Sequence, residues 1–450
     1  MKSSKTPSLN ILGAGPSGLA LGFFAKEKGL PFKIYEKSNE VGGNCKTVTN
    51  GDFKFDTGAH RFHDKHDEVT SIIKQLLKSD LLKVKAPSQI FHAGSMIDFP
   101  INIADALKKT STSDFINILK DLLFIYFKKF ESPTNFKELA YSNYGKTISD
   151  RFLINYTEKL WGEKAQNLSI EISGGRLKNH SVYNIIKEVF YFKKKDQNHL
   201  DGTFYYPKKG FGDIFEKLRD KIGEKNIMLN SSIEVVNHEG FFIENVGYDI
   251  ENSKGKNIFI NTLPLGIFVK NLRPAPPSFI IKLIDKIKFR DLRLCILYLD
   301  IPSFSKNASM YYPDPKFLFT RIYEPKNRSE TLAPKNKTCI VIEIPCSKND
   351  NISNLSEMEL YESVSNCLIK NKLINKNNII DHTSLRMENA YPIIDKHINR
   401  TIKPVFDYIK KFKNLHNIGR NAEFRYTHTH EIFRNTKSMI EFIDLEFRKS

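Results

Sequence analysis

A glycine-rich turn between a short apolar run and an amphipathic segment restricts the fold of this 450-residue chain more than any other feature. Residues 8–12 form the apolar run and predict a buried parallel strand. Gly13, Gly15 and Gly18 follow as GxGxxG, and residues 18–28 then carry the apolar spacing of a helix. Because residues 32–35 predict a second strand, the segment is expected to form one βαβ unit.

This glycine spacing is typical of dinucleotide binding. The first glycine allows a tight turn, the second lets the backbone approach a pyrophosphate, and the third lets the helix pack on its strand. Pro16 and Ser17 lie at the predicted helix N-terminus, where free N–H groups favour phosphate. Glu36, followed by Lys37, ends the second strand and predicts an acceptor for an adenosine ribose. NAD and FAD share this unit, so these residues leave the choice between them open.

A second glycine pair favours a flavin. Gly42 and Gly43, followed by Asn44, permit close approach of the backbone to a cofactor. Residues 55–63 predict a short strand and a small-residue turn that directs His60 and Arg61 toward the same site. These residues therefore predict FAD as the cofactor.

The chain resembles the flavin amine-oxidase superfamily, in particular the branch of UDP-galactopyranose mutase and the protoporphyrinogen-oxidase-like FAD oxidoreductases. The similarity extends from residue 8 to about residue 445. Besides GxGxxG and Glu36, it rests on GGNC at 42–45, TGAHRFH at 57–63, YTEKLWG at 156–162, YPKKGFG at 206–212, AYPIID at 390–395 and GRN at 419–421.

The resemblance implies an α/β fold in which a Rossmann-like FAD-binding domain with a parallel sheet holds an inserted α+β substrate domain. The FAD-binding domain is expected to comprise residues 1–85, 205–265 and 405–450. A mostly helical part of the substrate domain is expected at 86–204 and its sheet part at 266–404.

The pattern along the chain also predicts individual elements. Residues 69–130 are expected to be mainly helical around a hairpin of 89–91 and 96–98, and 135–192 helical again. Further expectations are extended segments at 202–207, 233–236, 241–243, 258–261, 293–299, 339–344 and 415–418, and helices at 212–222, 355–371 capped by Ser356, and from about 432.

The resemblance also implies site residues at the C-terminal end. Gly419 and Arg420 are implied cofactor contacts, while Tyr391 and Asp395 are implied to lie near the flavin and bind substrate. Tyr391 followed by a proline is equally consistent with a rigid turn.

In the middle of the chain, Tyr156 and Trp161 are implied to line a substrate pocket, although aromatic packing explains them equally well. The resemblance implies that Arg321, in FTRI at 319–322, binds a diphosphate and that Arg176, 15 residues after Trp161, acts from a nearby loop. Paired arginines would suit a phosphate through bidentate hydrogen bonds. A surface ion pair is the alternative for both, and it is favoured for Arg176. His60, with the three residues Arg321, Tyr391 and Arg176, completes the candidate catalytic set.

Composition restricts the remaining function classes. The formal charge is +18, but the lysines are dispersed and no nucleic-acid motif accompanies them, so a small-molecule enzyme is expected and not a nucleic-acid binder. Five cysteines without a CxxC pair favour a reducing compartment, and no third ligand accompanies His60 and His63 as a metal site. Residues 115–127 are too short and too charged to span a bilayer. A cytoplasmic protein is expected, with peripheral membrane contact left open.

Two functions follow. The first is an FAD-dependent oxidoreductase in which flavin N5 accepts a hydride from an unidentified substrate. The alternative is a nucleotide-sugar isomerase like UDP-galactopyranose mutase, in which reduced FAD is the nucleophile. The sequence places the oxidoreductase slightly ahead.

Overall fold

The structure is a computed structural model that describes residues 8–99, 112–127, 132–173, 203–247, 250–251 and 257–449. Its helices are α1 (Pro16–Glu27), α2 (Asp67–Leu77), α3 (Thr112–Phe127), α4 (Phe136–Ile148), α5 (Asn155–Trp161), α6 (Asp213–Ile222), α7 (Leu265–Lys270), α8 (Ser278–Ile284), α9 (Asn351–Asn354), α10 (Glu357–Lys370), α11 (Ile398–Ile409) and α12 (Thr429–Lys449).

The strands alternate with these helices along the chain. They are β1 (Leu9–Leu12), β2 (Phe32–Tyr35), β3 (Thr47–Asn50), β4 (Phe53–Asp56), β5 (Leu81–Lys85), β6 (Ser88–His92), β7 (Ser95–Phe99), β8 (Thr203–Pro207), β9 (Ile227–Met228), β10 (Val236–Glu239), β11 (Phe242–Val246), β12 (Ile250–Glu251), β13 (Ile258–Asn261), β14 (Leu272–Arg273), β15 (Phe289–Leu299), β16 (Ser309–Tyr311), β17 (Arg321–Tyr323), β18 (Thr338–Cys346), β19 (Ile379–Pro392) and β20 (Leu415–Asn417).

A five-stranded parallel sheet forms the first layer, in the order β20-β13-β1-β2-β9. All four residues of β1 are buried, as a central parallel strand requires. Helix α1 packs beside α6 and α12. The predicted Rossmann-like α/β fold is therefore confirmed, and it draws strands from near both ends of the chain.

A seven-stranded mixed sheet forms the second unit, in the order β19-β15-β18-β17-β16-β6-β7. Strand β15 alternates its side chains between two faces: Leu294 and Ile296 pack with Phe55 of β4, while Leu297 packs with Leu360 of α10. The sheet is consequently covered on one face by the segment that contains β3 and β4, which brings the two units together.

Most predicted elements are found near their expected positions. The βαβ unit, the hairpin of β6 and β7, and strands β8, β13, β15 and β18 all form. Ser356 caps α10 through a reciprocal capping box with Glu359, as its position suggested.

Several expectations about elements were wrong. The stretch expected to be mainly helical contains strand β5, which pairs antiparallel with the distant β8. The helical expectation for 135–192 holds as far as Trp161, since Gly162 ends α5 in a left-handed conformation, and again for the short 3-10 helix Ile170–Ser173. Residues 174–192 lie outside the described residues. The extended segments expected at 233–236 and 241–243 are strands β10 and β11, which begin three residues and one residue later. The last helix, expected from about 432, begins at Thr429.

The 14-residue strand β19 was also not expected. It is an edge strand with a mixed polar sequence, so its pairing with β15 decides its conformation. Tyr391 and Pro392 are its last two residues, and the interpretation of this pair as a rigid turn is wrong.

Candidate active site

The turn after β1 has the close packing and the open space that a dinucleotide requires. A Cβ atom on Gly18 would stand 1.8 Å from the carbonyl oxygen of Gly13, so only glycine lets α1 begin against the turn. A Cβ on Gly15 would meet no atom within 4 Å, which leaves room beside the backbone. Pro16 occupies the first turn of α1, and no side chain caps this helix. Its N-terminus can therefore receive a phosphate.

Glu36 reaches this turn from the end of β2. Its Oε2 accepts a hydrogen bond from the N–H of Ala14 at 2.8 Å, and Oε1 accepts from the N–H and hydroxyl of Ser38 at 3.0 and 2.9 Å. The carboxylate is thus fixed beside the glycine turn, where its remaining lone pairs suit ribose hydroxyls. Lys37 is exposed.

Two distant segments close on the same turn. The N–H of Gly42 donates to the carbonyl of Ala14 at 2.9 Å, and a Cβ on Gly43 would stand 3.2 Å from the Cα of Gly15. A Cβ on Gly419 would stand 2.6 Å from the Oγ of Ser17. The structure therefore brings together the glycine residues predicted to bind the cofactor, although they are up to about four hundred residues apart.

Arg420 follows in this group and has an unsatisfied polar atom. Its guanidinium lies 4.3 Å from the ring centre of Tyr426 and 5.4 Å from that of Tyr391. Its Nε is buried and makes no hydrogen bond to any residue that the structure describes. A buried donor without a protein partner is expected where a ligand completes the site.

An ion pair joins β17 and β18 of the second sheet and faces the segment that follows β4. The Nε of Arg321 is 2.7 Å and its Nη2 2.5 Å from Oε2 of Glu343, whose side chain is only 1% exposed. The other oxygen of Glu343 accepts the N–H of Ala59 at 2.8 Å. Burial alone would lower the pKa of Arg321, but the Glu343 carboxylate raises the pKa well above its usual range. The Glu343 carboxylate is buried and the Arg321 side chain is 19% exposed, so the pair lies largely inside the protein and is not a surface ion pair.

Three tyrosines surround this ion pair. Tyr311 pairs with Arg321 across β16 and β17, and its ring meets that of Tyr156 edge-on at 5.6 Å. Tyr391 contributes to the electrostatic surroundings of Arg321 from the end of β19. Burial raises the pKa of both Tyr156 and Tyr391, so each phenol keeps its proton at neutral pH.

Trp161 belongs to an aromatic group beside these tyrosines. It is 3% exposed, and its ring centre lies 5.8 Å from those of Tyr391 and Tyr426. Aromatic packing accounts for Trp161 well, whereas Tyr156 is only partly buried and lies close to Arg321 and Glu343. Substrate contact by either residue stays a prediction.

His60 lies between Asn44, which follows the second glycine pair, and the Arg321–Glu343 ion pair. Its ring stacks on Phe211 at 5.1 Å, and its Nε2 is 3.1 Å from the carbonyl oxygen of Asn44. Because that oxygen can only accept, Nε2 carries the proton and Nδ1 is an acceptor. Burial, together with the positive charges of Arg328, Arg420 and Arg321, lowers the pKa of His60 to about 3, although the hydrogen bond to Asn44 opposes this shift. His60 is therefore neutral.

The remaining candidates are not joined to this cluster by the described contacts. Arg61 donates to the hydroxyls of Ser88 and Ser309 at 3.1 and 2.6 Å. The carboxylate of Asp395 accepts the N–H of His397 at 2.7 Å. Arg176 lies outside the described residues. The functional roles of Arg61, Asp395 and Arg176 stay predictions.

Sequence reasoning missed three members of the cluster, namely Tyr311, Glu343 and Tyr426. Glu343 did carry a signal, because it is the only acid in the apolar run of β18. Tyr311 and Tyr426 carried none, since their positions depend on how distant strands pair.

Two absences apply to the described part of the chain. No helix there is both long and apolar enough to cross a bilayer. Among the same residues, histidine, cysteine and acidic side chains form no group that could hold a metal ion.

Comparison with known proteins shows which families and which solved structure this chain matches. Residues 11–76 match the family described as NAD(P)-binding Rossmann-like domain, and residues 151–375, half of the chain, match the family described as UDP-galactopyranose mutase. The crystal structure of a reduced UDP-galactopyranose mutase superposes with a TM-score of 0.85, covering 97% of this chain and 95% of that chain, at 17% identity. At this identity the likeness establishes the fold.

Curated relatives match more weakly. The mitochondrial protoporphyrinogen oxidase of Nicotiana tabacum is 24% identical over 187 residues, which are 40% of this chain and 37% of that protein. A probable UDP-galactopyranose mutase of Klebsiella pneumoniae is 25% identical over 228 residues, which are 47% of this chain and 53% of that protein. The chain thus spans about half or less of the length of these relatives.

Proposed function

We propose that this chain is a flavoenzyme which isomerises a nucleotide sugar. The premise is that the chain belongs to the UDP-galactopyranose mutase family, within the FAD-dependent amine-oxidase superfamily. The relatives in this superfamily are FAD-dependent enzymes. The observation that carries the choice of substrate is the buried pair of Arg321 and Glu343 among tyrosine hydroxyls.

The residues of the glycine turn fit FAD. The space beside Gly15 and the uncapped N-terminus of α1 suit the pyrophosphate, and the fixed Glu36 carboxylate suits the adenosine ribose. The unsatisfied Nε of Arg420 provides a donor on the side of the aromatic group. Once bound, the cofactor supplies either a nucleophilic nitrogen, when reduced, or a hydride acceptor, when oxidised.

The Arg321–Glu343 ion pair and the tyrosines around it suit a polar, anionic substrate better than an apolar one. The guanidinium of Arg321 uses Nε and Nη2 for Glu343, and Nη1 makes no hydrogen bond to another described residue. An arginine held in one orientation by a buried carboxylate can present its remaining donors to a diphosphate without further loss of side-chain freedom. The protonated phenols of Tyr156 and Tyr391 can donate to phosphate or sugar oxygens.

The test of this proposal is turnover that depends on the redox state of the flavin. We expect purified protein to convert UDP-galactopyranose into a furanose isomer when dithionite keeps the flavin reduced, and not when the flavin is oxidised. Product separation by chromatography measures the conversion. Absence of turnover by the reduced enzyme, across a set of nucleotide sugars, would refute the isomerase.

A second function is favoured by a separate observation, the aromatic group of Trp161, Tyr391 and Tyr426. The rings of Tyr391 and Tyr426 are 6.1 Å apart and inclined by 31°, with the Arg420 guanidinium over both, and with Trp161 they form an aromatic wall that suits a flat or apolar substrate. Such a surface suits an FAD-dependent oxidoreductase, which the sequence had placed first. Here the expected result is anaerobic bleaching of the oxidised flavin by substrate without added reductant. Retained colour with every substrate that is turned over would exclude it.

The remaining expectations are part of the same proposal. The partner is a small molecule and not a nucleic acid, and the location is the cytoplasm, with Tyr156, Trp161, Arg321, Tyr391 and Asp395 as substrate contacts. The dispersed charge of +18 supports an anionic substrate without a nucleic-acid surface.

A further inference from the structure

An irregularity in the pairing of β15 and β19 lies next to the site. Arg290 pairs with Tyr391 and Leu292 pairs with Met387, so a single residue of β15 stands opposite three residues of β19. At the centre of this bulge, Asn389 has a φ of +52°, which residues other than glycine rarely adopt. A conformation of this kind persists only where neighbouring groups hold it.

The side chain of Asp291 holds the bulge. It is 7% exposed, and its Oδ1 accepts the N–H of Asn389 at 3.0 Å. Its Oδ2 accepts from Nη2 of Arg386 at 2.8 Å, two residues before the bulge begins. One buried carboxylate thus bonds β19 both within the bulge and just before it.

The bulge in turn forms hydrogen bonds with two segments that are proposed to bind the cofactor, residues 42–44 and residues 419–421. Its carbonyl at Glu388 accepts from Nδ2 of Asn44 at 3.0 Å, and its carbonyl at Asn389 accepts from Nδ2 of Asn421 at 3.1 Å. Asn44 follows Gly43, and Asn421 follows Arg420. The Oδ1 of Asn421 is buried and makes no hydrogen bond to a described residue, so the amide keeps an acceptor without a protein partner.

We propose that Asp291 is a positioning residue: it fixes the bulge of residues 388–390, and the bulge aligns Asn44 and Asn421 for the flavin and delivers Tyr391 to the substrate. This inference rests on the proposed FAD site. It assigns a role to a residue that touches neither cofactor nor substrate.

The test measures FAD affinity, which does not depend on the identity of the substrate. Apoprotein variants would be titrated with FAD, and binding would be followed by flavin fluorescence and by the visible spectrum of the bound flavin. We expect Asp291→Ala to raise the Kd for FAD about tenfold, equivalent to about 1.4 kcal/mol, and to alter the bound flavin spectrum. Asp291→Asn should restore most of the affinity, because its Oδ1 can still accept the N–H of Asn389.

Two further variants separate positioning from general stability. Arg386→Gln removes only the partly exposed ion-pair partner and leaves the bond to Asn389, so its affinity for FAD should stay within about twofold of wild type. Combining Asp291→Ala with Asn421→Ala should cost less than the sum of the separate losses, because both act through one bulge. Thermal unfolding of each apoprotein establishes that it is folded, and Asp291→Ser replaces the alanine variant if that does not fold.

Wild-type affinity for FAD in the folded alanine or serine variant would overturn the inference, as would strict additivity with Asn421→Ala. Neither result touches the proposed isomerase. Conversely, failure to turn over nucleotide sugars leaves these binding measurements, and the inference drawn from them, intact.

Discussion

Arg321 and Glu343 illustrate how a single pair of side chains can narrow the chemistry of a site. A charge buried in a protein interior is retained only when it is paired and hydrogen-bonded, and both conditions hold here. The pair fixes the orientation of the guanidinium, which favours recognition of a phosphate by geometry as well as by charge.

Replacing Arg321 by lysine should weaken nucleotide binding while keeping the positive charge. Lysine offers no planar fork to share between Glu343 and a diphosphate, so the Kd for UDP should rise about tenfold or more. Calorimetric titration of the FAD-loaded protein would measure it. Arg219→Lys, in a surface ion pair with Glu216, is the matched control and should bind UDP as wild type does. Equal affinity in both variants would remove Arg321 from the substrate site.

His60 should make stability depend on pH below neutrality. Its pKa in the folded protein is about 3, against an ordinary value of 6.5, so between these values only the unfolded chain binds the proton. Stability is therefore full above pH 6.5 and falls as the pH decreases toward 3. Between pH 7 and pH 5 the loss attributable to His60 is up to about 2 kcal/mol.

His60→Gln tests this directly, because the amide can still donate to the carbonyl of Asn44 but does not titrate. Urea unfolding at pH 7 and pH 5 should show a smaller loss of stability in this variant than in wild type. If His60→Gln and wild type lose the same free energy, His60 is not held neutral by the fold.

At the scale of elements, helix ends set the positions of both halves of the site. Helix α1 begins at the glycine turn, and its first residues are positioned by close packing on Gly13 and Gly419. Helix α5, which carries Tyr156 and Trp161, ends at Gly162. There the Arg290 guanidinium lies 3.4 Å from each of the carbonyls of Lys159 and Leu160, where a cation is favoured by the helix dipole.

Gly15→Ala separates cofactor binding from folding at the start of α1. The new methyl group meets no protein atom within 4 Å, and φ of −72° is allowed for alanine, so the apoprotein should be within about 0.5 kcal/mol of wild type. The same methyl group would occupy the space proposed for the pyrophosphate, and we expect at least a tenfold weaker Kd for FAD. Fluorescence titration measures it.

Gly266→Ala in α7 is the matched control, since its added Cβ would make only an ordinary contact of 3.6 Å with Ile284. It should bind FAD normally. Unchanged affinity in Gly15→Ala would place the pyrophosphate elsewhere.

At the scale of the whole molecule, the site exists only where segments from the beginning, middle and end of the chain meet. β1, β13 and β20 lie side by side in one sheet, and the bulge of β19 bonds to both Asn44 and Asn421. A ligand that contacts all of these segments binds the folded state alone, so its binding free energy adds to stability.

FAD should therefore raise the Tm of the apoprotein in a concentration-dependent manner. At a free concentration one hundred times the Kd the expected gain is about 2.7 kcal/mol. Circular dichroism on heating is the measurement, and FMN is the control because it lacks the adenosine half that Glu36 is proposed to bind. A Tm unmoved by saturating FAD would contradict the proposed cofactor site, and equal stabilisation by FMN would remove Glu36 from it.

Elements held by contacts between residues close in sequence could be predicted, whereas elements held by pairing with distant strands could not. The βαβ unit followed from periodicity and glycine spacing, because these report on contacts between near neighbours along the chain. Strands β5 and β19 did not, since each is extended only through pairing with a distant strand. For the same reason Gly419 and Arg420 could be assigned to the cofactor only through a resemblance.

The sequence by itself determined the dinucleotide turn and the carboxylate expected to bind the ribose, because glycine spacing and a terminal carboxylate act within one local unit. It indicated the family only through the resemblance of motifs spread along the chain. Only the tertiary structure decided that Arg321 pairs with the buried Glu343, that Tyr311 lies beside Arg321 and Tyr426 beside Tyr391, and that Asp291 bonds to the bulge of β19. Those relations depend on strand register and on buried charge, and neither is encoded in any contiguous stretch of residues.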